Sequence, residues 1–289
     1  MLRSSLRFCA IWLFAAFASP VAFGQTLDLP YTLTRPAGEG PFPAVIILHD
    51  CSGLGGKSSG APWRWASELT PRGYVTLWPD SFTQRDRPRG ICTDTTLPRK
   101  ITPELRARDA YAALRYLQSL PFVDPRRIAV MGGSHGGTST LATILDTPGN
   151  KERGDAGFAA AIALYPACGR TIGGWNLKRQ REPAGDGTGA FKPLAPLLIL
   201  IGELDDWTPA KPCRELAEAA REAGYPVEIK VYPGAHHSFD SLAPVRFVAE
   251  RANANAPGGL GATTGGNAEA WADAIERVTA FLADRIGKR

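Results

Sequence analysis

Two rhythms of apolar residues alternate along this chain. Short unbroken runs such as Ala44-Val45-Ile46-Ile47-Leu48, Ile128-Ala129-Val130-Met131 and Leu197-Leu198-Ile199-Leu200-Ile201 are bounded by Gly, Pro or charged residues. Runs of that length with no polar alternation are strands buried on both faces. Between them lie segments with helical spacing, as in Ala110, Ala113, Leu114 and Leu117, or Trp271, Ala274, Ile275, Val278, Phe281 and Leu282. The predicted order is a strand from Tyr31 to Arg35, a strand from Ala44 to Leu48, a helix from Trp63 to Leu69 and a strand from Tyr74 to Trp78. A basic loop from Asp80 to Lys100 follows, then a helix capped by Thr102 with Pro103 in its first turn. The second half reads as a strand from Ile128, a helix from Thr138 to Leu145, a strand from Ala159 to Tyr165 and an excursion from Gly169 to Pro193. After the Leu197 strand come a helix from Pro212 to Ala223, a strand from Val227 to Tyr232, a Gly/Ala/Thr-rich surface loop from Asn253 to Asn267, and a last helix from Ala268. Strand and helix in alternation predict an α/β fold with a mostly parallel central sheet and helices on both faces. In such a sheet, ligands bind at the carboxyl ends of the strands.

The first 24 residues depart from this pattern. Arg3 and Arg7 precede an apolar core from Phe8 to Phe17, and Ala22-Phe23-Gly24 ends it with small residues, as in a cleaved secretory signal peptide. That core is too short to span a bilayer. The expected mature protein is one domain, 25–289, periplasmic or secreted, with no membrane association once the leader is removed. The 44% hydrophobic content of the full chain supports a single large core. Losing Arg3 and Arg7 lowers the formal charge from +5 to +3, too mild for a nucleic-acid partner. Four of five cysteines remain, because Cys9 lies in the leader. An exported chain with an even count is expected to pair them, and spacing alone does not choose among three connectivities. No CxxC pair or other metal-ligand spacing occurs, so neither metal nor cofactor is expected.

The chemistry is concentrated at predicted strand ends. In Gly132-Gly133-Ser134-His135-Gly136, a serine sits between a strand and a helix, flanked by glycines that let neighbouring backbone approach. A serine hydroxyl needs a base, and the base needs a carboxylate to orient it. His135 is adjacent in sequence and points elsewhere; His49 is expected to order its loop; His236 and His237 both follow the last strand. Glu203, Asp205 and Asp206 all qualify as the acid by position. Backbone N–H groups of His135 and of Cys51, in the loop after the Ala44 strand, are the expected donors to an oxyanion. Asp50, Arg85 and Trp207 are candidate substrate contacts, with Arg87, Arg89, Trp63, Trp65 and Trp175 also in loops near the strand ends.

His49-Asp50-Cys51-Ser52-Gly53-Leu54, Asp80-Ser81-Phe82, the Gly132 to Gly137 turn, Gly202 to Pro209 (GELDDWTP) and Tyr232 to Phe239 (YPGAHHSF), in this order and spacing, resemble the dienelactone hydrolase family of α/β-hydrolases. The resemblance covers most of the mature chain and places Ser134, Asp205 and His237 at the triad positions. It implies an α/β-hydrolase fold and a small-molecule ester or lactone substrate. The family's namesake enzymes carry a cysteine nucleophile and are cytoplasmic, so the serine and the leader here point to a general serine esterase rather than a dienelactone enzyme. The implied fold sets the Ala44 and Tyr74 strands close together, and likewise the two strands that precede Cys168 and Cys213. The expected disulfides are therefore Cys51–Cys92 and Cys168–Cys213. A peptidase or acyltransferase on the same fold, or a binding protein without activity, are the competing readings.

Overall fold

The computed structural model describes residues 26–95, 101–151, 157–169 and 191–287. The leader at 1–24 falls outside these, as do 170–190, which make up most of the expected Gly169 to Pro193 excursion and include Trp175. In chain order the elements are β1 (Tyr31–Thr34), β2 (Phe42–Leu48), α1 (Ala61–Leu69), β3 (Val75–Pro79), α2 (Pro103–Gln118), β4 (Val123–Gly133), α3 (His135–Ile144) and α4 (Pro148–Lys151). They continue with β5 (Ala160–Leu164), β6 (Leu197–Gly202), α5 (Ala210–Glu222), β7 (Val227–Tyr232), β8 (Arg246–Ala252), β9 (Leu260–Thr264) and α6 (Ala268–Ile286).

The main sheet runs β1-β3-β2-β4-β5-β6-β7, parallel throughout except for β1, which pairs antiparallel with β3. Every residue of β2, β3, β5 and β6 is buried, as continuous apolar runs require when both faces are covered. Strand order reverses after β3: the chain steps outward from β2 to β3, then returns past β2 to β4 and continues to β7. Right-handed crossovers then put α1 on one face and α2, α3 and α5 on the other. The first face is completed by α6, whose Trp271 meets Trp65 of α1 edge-on at 4.6 Å. Thr102 caps α2 by accepting from Leu105 N at 3.2 Å, and Asn267 caps α6 by accepting from Ala270 N at 3.0 Å. Among the described residues no helix is long and apolar enough to cross a membrane.

Several boundaries differ from the sequence reading by a few residues, and two of the differences bear on the site. The helix after Ser134 starts at once, at His135 rather than Thr138. The segment expected as a surface loop from Asn253 to Asn267 contains β9, which pairs antiparallel with β8 in a separate two-stranded ribbon. Asn253 ties this ribbon to the body through its Nδ2, donating to Asp206 O and Gly261 O, while Asp206 accepts from Thr263 N and Oγ1. The ribbon in turn braces the loop after β7, since Thr264 Oγ1 and Gly265 N both donate to His237 O.

Disulfides join Cys51 to Cys92 and Cys168 to Cys213. The first links two loops at the carboxyl end of the sheet, and the second links the loop after β5 to the first turn of α5, across separations of 41 and 45 residues. Closing loops of this size stabilises the fold by about 4 kcal/mol apiece in the chain-entropy model.

Candidate active site

Ser134 sits between β4 and α3 with φ 53° and ψ −118°. A non-glycine residue held there costs on the order of 1–3 kcal/mol, which the surrounding packing must offset. Glycines make the turn possible. A Cβ on Gly132 would come within 2.5 Å of the Gly136 backbone, and one on Gly136 would collide with the Leu48 carbonyl of β2. The sharp turn holds the hydroxyl above the strand ends, and Ser134 N is anchored to Leu164 O.

The loop after β7 brings His237 to this serine. Its Nε2 lies 2.9 Å from Ser134 Oγ, and its Nδ1 lies 2.8 Å from Asp205 Oδ2, from the loop after β6. Asp205 is itself fixed: Oδ1 accepts from Trp207 N and Thr208 N, and Oδ2 accepts from Thr208 Oγ1. The rings of Tyr165 and Trp207 stand 4.8 and 4.7 Å from the imidazole. All three residues of this chain of bonds are buried. A carboxylate bound to one imidazole nitrogen selects the tautomer whose other nitrogen accepts the serine proton. The other acidic candidates stand elsewhere: Glu203 is exposed, and Asp206 holds the ribbon. His236 reaches only Leu204 O.

Among the described residues neither Cys51 N nor His135 N is spent on a protein acceptor. Both residues line the apolar cavity that also contains Ser134. The loops carrying them are clamped by a residue that sequence reading passed over. Arg106 of α2 is fully buried; its Nη2 donates to His49 O at 2.8 Å, its Nη1 donates to His135 Nδ1 at 2.9 Å, and its guanidinium lies over Phe82. Burial pulls the guanidinium down to about 10, so it stays charged at neutral pH. A basic residue facing α2's apolar stripe would have been the signal for it, at the cost of calling a helical arginine buried.

His49 and His135 are held neutral. Burial, then the Arg106 charge, lowers His135 to about 3, and the same two causes in the same order take His49 well below its ordinary value. His49 orders its loop, with Nδ1 bonded to Asp50 O and Nε2 accepting from Ser81 N. The unfolded chain binds protons on both below about pH 6.5, which the folded chain refuses, so their contribution to stability is complete above that pH and drains away on acidification. Urea unfolding at pH 7 and pH 5 is expected to show stability falling by up to about 2.7 kcal/mol per pH unit below 6.5 from the two together. An unfolding free energy unchanged over that interval would show that both rings titrate normally in the fold, and a fall of about half that size that only one does.

Ser134 lies where two cavities meet. One, about 250 Å³, is polar and is walled by Asp50, Arg64, Arg246, Arg251, Thr264 and Trp207 among others; the second, about 520 Å³, is mostly apolar, with Ile91, Pro103, Ala167 and Ala252. The Cys51–Cys92 bridge and Trp207 border both. Of the expected substrate contacts, Asp50 lines the polar cavity and accepts from Ser52 N and Oγ. Arg85 does not fit that expectation. Both of its terminal nitrogens are taken by Asp109 at 2.8 Å, so it fastens the loop after β3 onto α2. Trp65 is core and Trp63 points outward from α1, so neither fits it. Arg246 and Arg251 reach the cavity because the ribbon places them there, and nothing local in their sequence announced it. One cluster with metal-ligating geometry occurs among the described residues, Asp50 with Cys51 and Cys92, but the disulfide leaves it no thiolate.

Comparison with known proteins bears on the family and the fold. A protein of Salmonella typhimurium bearing the name "Putative carboxymethylenebutenolidase" is 26% identical over 218 residues, spanning 74% of each chain. A Bradyrhizobium protein named "Probable 2-oxo-3-(5-oxofuran-2-ylidene)propanoate lactonase" is 24% identical over 219 residues, covering 72% of this chain and 77% of its own. In three dimensions, Thermogutta terrifontis esterase 2 phosphorylated by paraoxon superposes with a TM-score of 0.59 at 20% identity, over 91% of this chain and 92% of that one. That likeness is one of fold. The family model for dienelactone hydrolases matches residues 29–285, nearly the whole described chain, and the protein belongs to the dienelactone hydrolase family.

Proposed function

We propose that this member of the family is an exported serine hydrolase that cleaves a carboxylic ester or lactone through an acyl-enzyme. The observation that carries the reading is the unbroken path from Ser134 Oγ to His237 Nε2 at 2.9 Å and from His237 Nδ1 to Asp205 Oδ2 at 2.8 Å. His237 takes the serine proton as Oγ attacks the carbonyl carbon. The carbonyl π bond opens to an oxyanion, which accepts from Cys51 N–H and His135 N–H. Collapse of that intermediate breaks the carbon–oxygen bond to the alcohol, and the proton passes from His237 to the leaving oxygen. Water then repeats the cycle on the acyl-serine, releasing the acid and restoring Ser134. Asp205 accepts from Nδ1–H of the imidazolium and holds the ring in place.

Asp50 and Trp207 border the reacting serine and are the proposed substrate contacts. Two disulfides support an oxidising compartment, in keeping with the leader at 1–24. Thermogutta terrifontis esterase 2 is captured phosphorylated by paraoxon, and an activated phosphorus ester is the matching probe here. Incubating the folded protein with a fluorophosphonate and mapping the product by mass spectrometry should give one adduct, on Ser134. An adduct on another residue, or none, would refute the serine hydrolase reading and favour a binding protein on this scaffold.

A further inference from the structure

Some of the described arginines are answered directly by a carboxylate. Arg72, Arg85, Arg127 and Arg277 each hold a carboxylate oxygen at 2.8 Å or closer. In contrast, Lys57, Arg87, Arg89, Arg246 and Arg251 form no ion pair among the described residues, yet all five line one groove of about 940 Å³. The groove is continuous with the polar cavity at Ser134, because Ser52, Lys57, Cys92, Arg246 and Arg251 wall both. Counting Arg64, six cationic side chains face this path against three carboxylates, Asp50, Asp86 and Asp94. Arg64 is committed to Asp240, and Asp50 to Ser52. Like charges gathered without partners repel over a screening length of about 8 Å at physiological salt, so such a groove costs stability unless something anionic fills it.

Two of these guanidinium groups are partly desolvated as well. Arg87 Nε and Arg251 Nε are buried without an acceptor, while Arg251 lies over the Trp207 ring at 5.1 Å. A buried N–H left unpaired is a cost that a bound acceptor removes. The frame is built to hold its shape. Among the described residues, the four non-glycine residues with positive φ, Asp86, Ser134, Tyr165 and Ser238, all lie along the path. At its inner end the wall is rich in hydroxyl groups: Ser52, Ser58, Ser59, Ser238, Ser241 and Thr264. Single cations spaced between hydroxyls suit a chain of hydroxylated units that each carry one carboxylate, more than a compact polyphosphate.

We infer that the groove from Ser134 past Arg251 and Arg246 to Arg87 and Arg89 binds an acidic oligosaccharide, and that the ester cleaved is one carried by such a chain, its apolar part entering the cavity beside Ile91. This rests on the serine hydrolase reading for the cleavage step, whereas the binding step stands apart from it. The inner cations receive the first carboxylate, and Arg87 and Arg89 receive those several units further on.

The test uses unesterified galacturonate and its di-, tri- and tetramer as inhibitors of p-nitrophenyl acetate hydrolysis, with direct calorimetric binding alongside. Calorimetry needs no turnover, so loss of the hydrolase reading and loss of the groove are told apart. The dissociation constant should fall at least about tenfold from monomer to tetramer and should rise with added salt. In the double variant Arg87→Glu/Arg89→Glu, with thermal unfolding showing an intact fold, the tetramer should lose that advantage while the monomer changes by less than about threefold. Binding independent of chain length, equal binding of neutral xylotetraose, or tighter binding of tripolyphosphate than of the tetramer would each overturn the assignment.

Discussion

Alanine at position 134 is expected to lower kcat for p-nitrophenyl acetate by about 10⁵-fold, with KM changed little, because loss of one member of a coupled triad removes most of what the set supplies. The change removes the atom that makes the acyl bond. The fold should survive it: among the described residues Ser134 Oγ is bonded only to His237, while its backbone N–H and carbonyl, anchored to Leu164 O and Thr138 N, are kept. Alanine is as poorly suited as serine to φ 53°, so the strain of the turn carries over unchanged. What activity remains would come from Cys51 N–H and His135 N–H acting on water attack. A variant that keeps a tenth or more of the original kcat would place the nucleophile elsewhere.

The second large effect separates two adjacent acids. Asp205→Asn should lower kcat by about 10³ to 10⁴-fold, since an amide in that place favours the imidazole tautomer whose Nε2 carries the proton and cannot accept one from Ser134. Asp206→Asn breaks charge-assisted bonds to Thr263 and loosens the β8–β9 ribbon, so it should reduce stability with less than about a tenfold change in kcat. The diagnostic is the split between the two. If both variants lose activity alike, or Asp206→Asn loses more, the assignment of Asp205 as the orienting acid is wrong.

The sheet and the residues at its strand ends were legible in the sequence because they depend on local pattern. Four- and five-residue apolar runs bounded by Gly, Pro or charged residues are too short for helices and read as buried strands, and a serine between glycines after such a run reads as a turn; the segments around Asp205 and His237 follow the next strands in the same way. The Thr102 cap is equally local, being a side chain bonded to a backbone three residues on. Only the tertiary structure decided the rest. Arg85 read as a free cation in a basic loop, but its charge is answered by Asp109 on α2, twenty-four residues away. Arg106 interrupts a helix stripe and is buried because His49 O and His135 Nδ1 come to it from two other segments. The ribbon escaped notice because Arg246-Phe247-Val248-Ala249-Glu250-Arg251-Ala252 lacks alternation and Leu260-Gly261-Ala262-Thr263-Thr264 is mostly small, so its pairing depends on Asp206 and Asn253. Local pattern sets where a chain turns and which face it buries, but a charge or a hydrogen-bond donor is assigned its partner only when distant segments meet, and here that meeting determines what the groove beside Ser134 can hold.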